Sequence, residues 1–304
     1  MEILNSLMVI LVIALLGILS RKIKIFSAEN IKVISSFVYY FALPSLFFVN
    51  ISNMDLLRLD YKVALGVLLP IFILLVILYV LKIFNVLSKD NFILLSLSIC
   101  FGSNAFFGVA LFETLYGGRW LSLAVFVASI LGFVGIVLTL LYFEYATKKD
   151  SGWIFFLKIV KNPLIIALIL GSVCSFFKIR FELVNKTLSI LGKTAAGLAI
   201  FSLGIFIYDH FSWQSFKKAF KYSIFRSLVL PLSSYLVIIF FLGINNEFRR
   251  FLFLQSGIPA AISLAVFAKR YEYKLAEVTG IVVITSILSF IVLPLLFFIS
   301  ELAF

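Results

Sequence analysis

An all-α membrane protein with ten transmembrane helices is predicted by three features of the sequence. Of its 304 residues, 63% are hydrophobic and only 13% are charged. A soluble domain carries about a quarter charged residues, and a disordered chain lacks this apolar content. Apolar runs of roughly 17–25 residues, enough to cross a hydrocarbon core, recur along the whole chain. The basic residues fall between those runs rather than along one face. The net charge of +12 therefore reads as topology signals and contacts for anionic lipid head groups, not as a nucleic-acid surface.

Taken in order, the first span covers 3–20 and is closed by Arg21-Lys22-Ile23-Lys24. It lacks a basic leader region and a cleavage site, so it reads as a membrane span rather than a removed signal peptide. The second, 31–51, carries Ala42-Leu43-Pro44, and the third, 63–84, carries Pro70. The fourth, 92–116, contains Gly102-Ser103-Asn104 and Gly108. The fifth, 121–145, is followed by the charged hinge Lys148-Lys149-Asp150-Ser151-Gly152. The sixth, 160–177, opens on Asn162-Pro163, with Asn as the cap and Pro in the first turn. In the seventh, 188–208, Gly197 and Gly204 permit close helix packing. The eighth spans 224–242, the ninth 251–268 and the tenth 276–299.

An even count puts both termini on one side. Seventeen Lys and Arg residues lie in the odd connections, Arg226 among them, and nine in the even ones. The excess of Lys and Arg on cytoplasmic loops then places the odd connections in the cytoplasm and both termini outside. The central loop divides the chain into a first repeat (1–146), a cytoplasmic linker (147–159) and a second repeat (160–304). Five spans per half force opposite insertion, which is the arrangement of inverted-repeat carriers.

Matching interruptions in the two halves mark the candidate site. In the ninth span, Gln255-Ser256-Gly257-Ile258-Pro259 combines two polar side chains with a helix break. Pro259 removes a backbone donor and clashes with the carbonyl one turn back. In the fourth span, Ser103, Asn104 and Gly108 play the corresponding part. Broken helices at mid-membrane build substrate sites in carriers. An amide donor beside a helix N-terminus suits an anion without a buried Lys or Arg. The predicted substrate-binding set is Ser103, Asn104, Gly108, Gln255, Ser256, Gly257 and Pro259.

Other polar residues read as structural. Glu113 is an acid near the outer end of the fourth span, close to Arg119, with proton coupling as its alternative role. Lys193 snorkels to the interface. Cys100 and Cys174 lie in apolar stretches and read as thiols rather than a disulfide. His210 reads as a loop residue, a poor metal site on its own. Nothing forms an enzyme constellation, a phosphate loop or an ion filter, so neither a catalytic site, a metal nor a cofactor is expected.

The chain resembles the auxin efflux carrier family, which includes bacterial malate and malonate permease-like proteins. The resemblance rests on Phe41-Ala42-Leu43-Pro44-Ser45-Leu46-Phe47-Phe48, Lys161-Asn162-Pro163-Leu164-Ile165 and Leu198-Ala199-Ile200-Phe201-Ser202-Leu203-Gly204. It also rests on the stretch from Gln255 to Ala268, on Ile284-Thr285-Ser286-Ile287-Leu288-Ser289, and on Leu293-Pro294. It implies a ten-helix inverted repeat with a scaffold domain and a transport domain, and broken fourth and ninth helices that cross at the substrate site. It also implies elevator-like transport of small organic anions. Against the family pattern, Ser103 stands where Asn is common and Ala110 where Pro is common, with Asn104 displaced by one. The expected partners are a small organic anion and membrane lipid, with no nucleic acid. Proton coupling and homodimer formation stay open. The expected location is the plasma membrane. The alternatives are a sodium-coupled organic-anion symporter of the bile-acid type, which a cluster of acids and Asn on adjacent helices would mark, and a membrane sensor without transport.

Overall fold

A computed structural model describes residues 2–54, 61–147, 160–241 and 243–304. The described residues form helices and no strands. Seven of the helices are long and apolar enough to cross a membrane: Ile3–Lys22, Lys32–Asn53, Tyr61–Ile83, Trp120–Thr147, Glu182–His210, Trp213–Phe240 and Leu275–Ala303. The chain is a multi-pass, all-helical membrane protein. The proposed linker 147–159 and its lysines fall outside the described residues from 148 onward.

Two compact units make up the chain, and each draws on both sides of the linker. The first comprises Met1–Leu59, Asn104–Phe133 and Gly152–Asp209; the second comprises Asp60–Ser103, Val134–Ser151 and His210–Phe304.

The first unit begins with α1 (Glu2–Lys22), α2 (Ala28–Phe37) and α3 (Leu43–Asn53). α2 and α3 are joined by the π-helical turn Val38–Ala42. That widened turn lies just ahead of Pro44, which can neither donate a helix bond nor tolerate the carbonyl four residues back. One face of α1 buries Ile3, Leu7 and Ile10, and the other exposes Leu4, Met8, Val12, Leu15 and Leu19. A bare apolar face of this length suits lipid rather than water. Further along lie α6 (Val109–Tyr116), the start of α7 (Gly118–Thr147), α8 (Pro163–Phe176), α9 (Glu182–Lys193) and α10 (Ala195–His210). Asn162 caps α8 as expected, accepting from the Leu164 N–H at 2.9 Å with Pro163 in the first turn. The core gathers Val38, Leu43 and Phe47 with Val109, Val125 and Ala199.

Gly204 permits the close approach expected of it: a Cβ there would lie 1.9 Å from the Ala14 carbonyl oxygen on α1. Gly197 does not serve in this way, since a Cβ would meet nothing within 4 Å. His210 ends α10 rather than occupying a loop, and the seventh span reaches back to Glu182. Glu113 and Lys193 are both exposed. Cys100 is buried in the second unit and Cys174 half-buried in the first; both are free thiols.

The second unit holds α4 (Tyr61–Ile83), α5 (Lys89–Cys100), the end of α7, α11 (Trp213–Ile224) and α12 (Leu230–Phe241). It closes with α13 (Asn246–Ser256), α14 (Ser263–Tyr271) and the long α15 (Leu275–Ala303). α11 and α12 run as one 28-residue span through the π-helical turn Phe225–Val229. This turn again lies just ahead of a proline, Pro231. The eighth span therefore starts at Trp213, eleven residues before the expected 224. α11 is amphipathic, with Ala219, Tyr222 and Ser223 buried and Lys217, Lys218 and Lys221 exposed. A search for continuous apolar runs passes over such a helix. The earlier start takes Lys217, Lys218 and Lys221 into the helix. Arg226, counted above with the connection, sits near the middle of the span and is 3% exposed.

Candidate functional site

The fourth and ninth predicted spans are both interrupted, and the interruptions match. α5 has 12 residues and ends at Cys100; α13 has 11 and ends at Ser256. The half-helices after the breaks, α6 and α14, have 8 and 9 residues. Each first half opens on a side-chain cap: Ser88 Oγ accepts from the Asn91 N–H at 3.3 Å, and Asn245 Oδ1 accepts from the Phe248 N–H at 3.0 Å. The fourth span breaks at residues 101–103 although Ala110 replaces the family's proline. Ala110 itself lies buried within α6. Gly108 is not part of the break; it has helical angles and leads into α6.

The second unit brings the two breaks together. Gly102 and Ala260 form an isolated antiparallel bridge. The Ser103 N–H donates to the Pro259 carbonyl at 2.7 Å, and the Ala261 N–H donates to the Phe101 carbonyl at 3.0 Å. Irregular backbone at membrane depth needs protein or water to bond to, and each break supplies partners for the other. Thr285 on α15 adds a third support. Its Oγ1 accepts the Ala260 N–H at 3.0 Å, and its hydroxyl donates to the Ile281 carbonyl at 2.7 Å.

Arg226 completes the arrangement. Its Nε donates to the Ile258 carbonyl at 3.2 Å, and its Nη2 donates to the same carbonyl at 2.7 Å and to the Pro259 carbonyl at 3.3 Å. Its Nη1 donates to the Ser98 carbonyl. All of these acceptors lie in or beside the last turns of α5 and α13. A charged side chain at the centre of a membrane helix costs about 3 kcal/mol or more, and a guanidinium with this many partners offsets much of that. A buried Arg thus stands beside the paired breaks, bonded to backbone carbonyls. The residue was visible in Ile224-Phe225-Arg226-Ser227-Leu228-Val229 as a cation inside an apolar run. Two residues inside the predicted start at 224, it reads as the end of the basic run of Lys217, Lys218 and Lys221.

Ser103, Gln255, Ser256, Gly257 and Pro259 thus belong to the second unit. Ser103 is 3% exposed, and its hydroxyl has no hydrogen-bond partner among the described residues. Gln255 is buried at the end of α13. The Ser256 hydroxyl turns back to the Phe253 carbonyl at 2.5 Å. Gly257 faces α15: a Cβ there would lie 2.6 Å from Leu296 Cδ1 and 3.0 Å from Leu293 Cδ2. Asn104 and Gly108 belong to the first unit, where both are buried in the π-helical turn Asn104–Gly108 that leads into α6.

Comparison with known proteins points to a membrane transporter. A family profile described as "Membrane transport protein" matches residues 2–297. The chain is 25% identical to the uncharacterized transporter MJ1031 of Methanocaldococcus jannaschii, over 95% of this chain and 96% of that protein. It is 24% identical to the uncharacterized transporter YfdV of Escherichia coli, over 98% of each.

Proposed function

The chain belongs to the membrane transport protein family, the auxin efflux carriers, and on that premise we propose that this transporter is a secondary active carrier of a small organic anion, a mono- or dicarboxylate. The observation that carries the reading is the pairing of two broken helices through the Gly102–Ala260 bridge. Ser103, Asn104, Gly108, Gln255, Ser256, Gly257 and Pro259 are the residues proposed to surround the substrate. Ser103 is favoured among them because its buried hydroxyl has no partner among the described residues.

The two broken spans, the seven long helices and the shorter apolar α8 support ten membrane crossings in a five-plus-five inverted repeat. The matched half-helix lengths support the same symmetry. The first, second, sixth and seventh spans share one unit, and the third and eighth the other; the fourth and fifth are divided between the units, while the ninth and tenth lie wholly in the second. The proposed alternating-access cycle is of the elevator type, with a transport domain that holds the broken helices and a scaffold domain. The location proposed is the plasma membrane, with both termini outside.

Uptake and efflux of labelled monocarboxylates and dicarboxylates by proteoliposomes, with and without proton and sodium gradients, test this reading. Accumulation of a carboxylate that saturates with concentration is the expected result, and strict sodium dependence would favour a symporter instead. Absence of flux for every carboxylate would remove the substrate class. Cysteines placed at Ser151 and at the C-terminal end test the topology, since they should label from opposite sides of intact cells.

A further inference from the structure

We propose that Arg226 is a built-in counter-ion for the paired helix breaks and a positioning residue for transport. Each helix C-terminus carries the equivalent of about half a negative charge, on carbonyls that lack an intrahelical partner. α5 and α13 both end beside the bridge, so two such ends converge on one region, worth about one negative charge together. The Arg226 guanidinium supplies one positive charge and bonds to the carbonyls of Ser98, Ile258 and Pro259. In membrane carriers, half-helix C-termini and unwound carbonyls of this kind coordinate a mobile cation. Here a tethered cation occupies the carbonyls.

Two consequences follow. The guanidinium is committed to backbone, so it orients the break rather than contacting the transported anion. It also ties α12 to both breaks through the π-helical turn that contains it. Such turns occur often at functional sites, and this one places a planar, forked donor where two carbonyls of one break lie side by side. Lysine would supply the charge without the fork.

The proposal rests on the transport reading for its functional half, so the test has two arms. Purified full-length protein and its Arg226→Lys, Arg226→Gln and Arg226→Ala variants are first compared by thermal unfolding, which needs no substrate. The expected order is wild type, then Lys, then Gln and Ala. Millimolar guanidinium should raise the unfolding temperature of Arg226→Ala but not that of wild type, and methylammonium should do so less. In proteoliposomes, Gln and Ala should lower flux about tenfold or more, the factor given by one charge-assisted hydrogen bond. Lys, and guanidinium added to Ala, should recover part of it.

Arg226→Gln as stable and active as wild type would overturn the counter-ion role. Guanidinium acting equally on wild type and Arg226→Ala would overturn it too. Should Arg226→Ala fail to fold, the Lys and Gln variants decide, and equal behaviour of those two overturns the proposal. Wild-type protein that moves no carboxylate would refute the transport reading while leaving the unfolding arm to judge Arg226.

Discussion

Ser103 and Pro259 share a backbone hydrogen bond of 2.7 Å, donated by the serine N–H to the proline carbonyl. Two interruptions lying some 155 positions apart in the chain are thereby one structural object. Pro259 cannot by itself be what keeps the ninth span open, because Arg226, Thr285 and the fourth-span break all hold the same few peptide groups. The break without a proline in the fourth span has the same explanation: its open backbone is paired rather than sterically forced.

Thr285→Val tests the α15 side of this arrangement. The substitution preserves shape but deletes the acceptor of the buried Ala260 N–H. An unsatisfied buried donor costs about 1–3 kcal/mol. Thermal or denaturant unfolding of purified protein should show a loss in that range, and Thr285→Ser should recover most of it. Equal stability of Val and Ser would mean that the hydroxyl does not support the break.

Much of this was legible in the sequence. The ninth-span break was marked by Gly257 and Pro259, the fourth by Gly102-Ser103-Asn104, though Gly108, read with it, is helical, and the sixth-span start by Asn162-Pro163, because each feature follows from local backbone chemistry. Three things were not legible. The length of the eighth span was hidden because α11 is amphipathic, so its lysines suggested a loop. The role of Arg226 was hidden because it follows closely on those lysines, and its partners lie 128 and 32 residues away. The composition of the compact units also stayed hidden, since apolar runs indicate where helices lie but not which ones share a core.

Gly257 provides a test of packing at the break. A methyl group there would meet Leu296 Cδ1 at 2.6 Å and Leu293 Cδ2 at 3.0 Å. Overpacking of this kind costs about 1–3 kcal/mol. Gly257→Ala should therefore lower stability, and Leu296→Ala, destabilising by itself, should cost less in the Gly257→Ala background. A double-mutant cycle by thermal unfolding measures the coupling. Strict additivity would show that Gly257 does not pack against Leu296.

A pH-dependent contribution is expected at the start of α5. The Lys274 ammonium lies 2.9 Å from Asp90 Oδ2, and the Tyr273 hydroxyl donates to Asp90 Oδ1 at 2.9 Å. Lys274 first, and Tyr273 next, hold the Asp90 carboxyl below its ordinary range. A depressed folded-state value means that ionised Asp90 stabilises the fold above the unfolded value of about 3.9. The contribution is lost as the pH falls through the lower folded value. The stability difference between wild type and Asp90→Asn should thus be largest near neutrality and shrink in acid. High salt should shrink it too, because the pair is half exposed. A difference that grows on acidification would reverse the sign and refute the assignment.

Ser103 carries the sharpest test of the site, because two roles for its hydroxyl predict opposite signs. The side chain is buried and the hydroxyl has no partner among the described residues. The backbone N–H that bonds to Pro259 remains when the side chain is shortened. Ser103→Ala therefore removes a desolvated polar group without touching the bridge. In the substrate-free protein, stability should hold or rise by up to about 1 kcal/mol. If the hydroxyl donates to a bound carboxylate, the same change removes a charge-assisted bond worth about 1.5–3 kcal/mol, and affinity should fall about tenfold or more. Unfolding temperature without substrate and saturation of uptake by the best carboxylate measure the two quantities separately. Higher or equal stability together with weaker binding identifies a ligand contact. Lower stability with unchanged affinity would return Ser103 to a packing role and leave recognition to the rest of the proposed set.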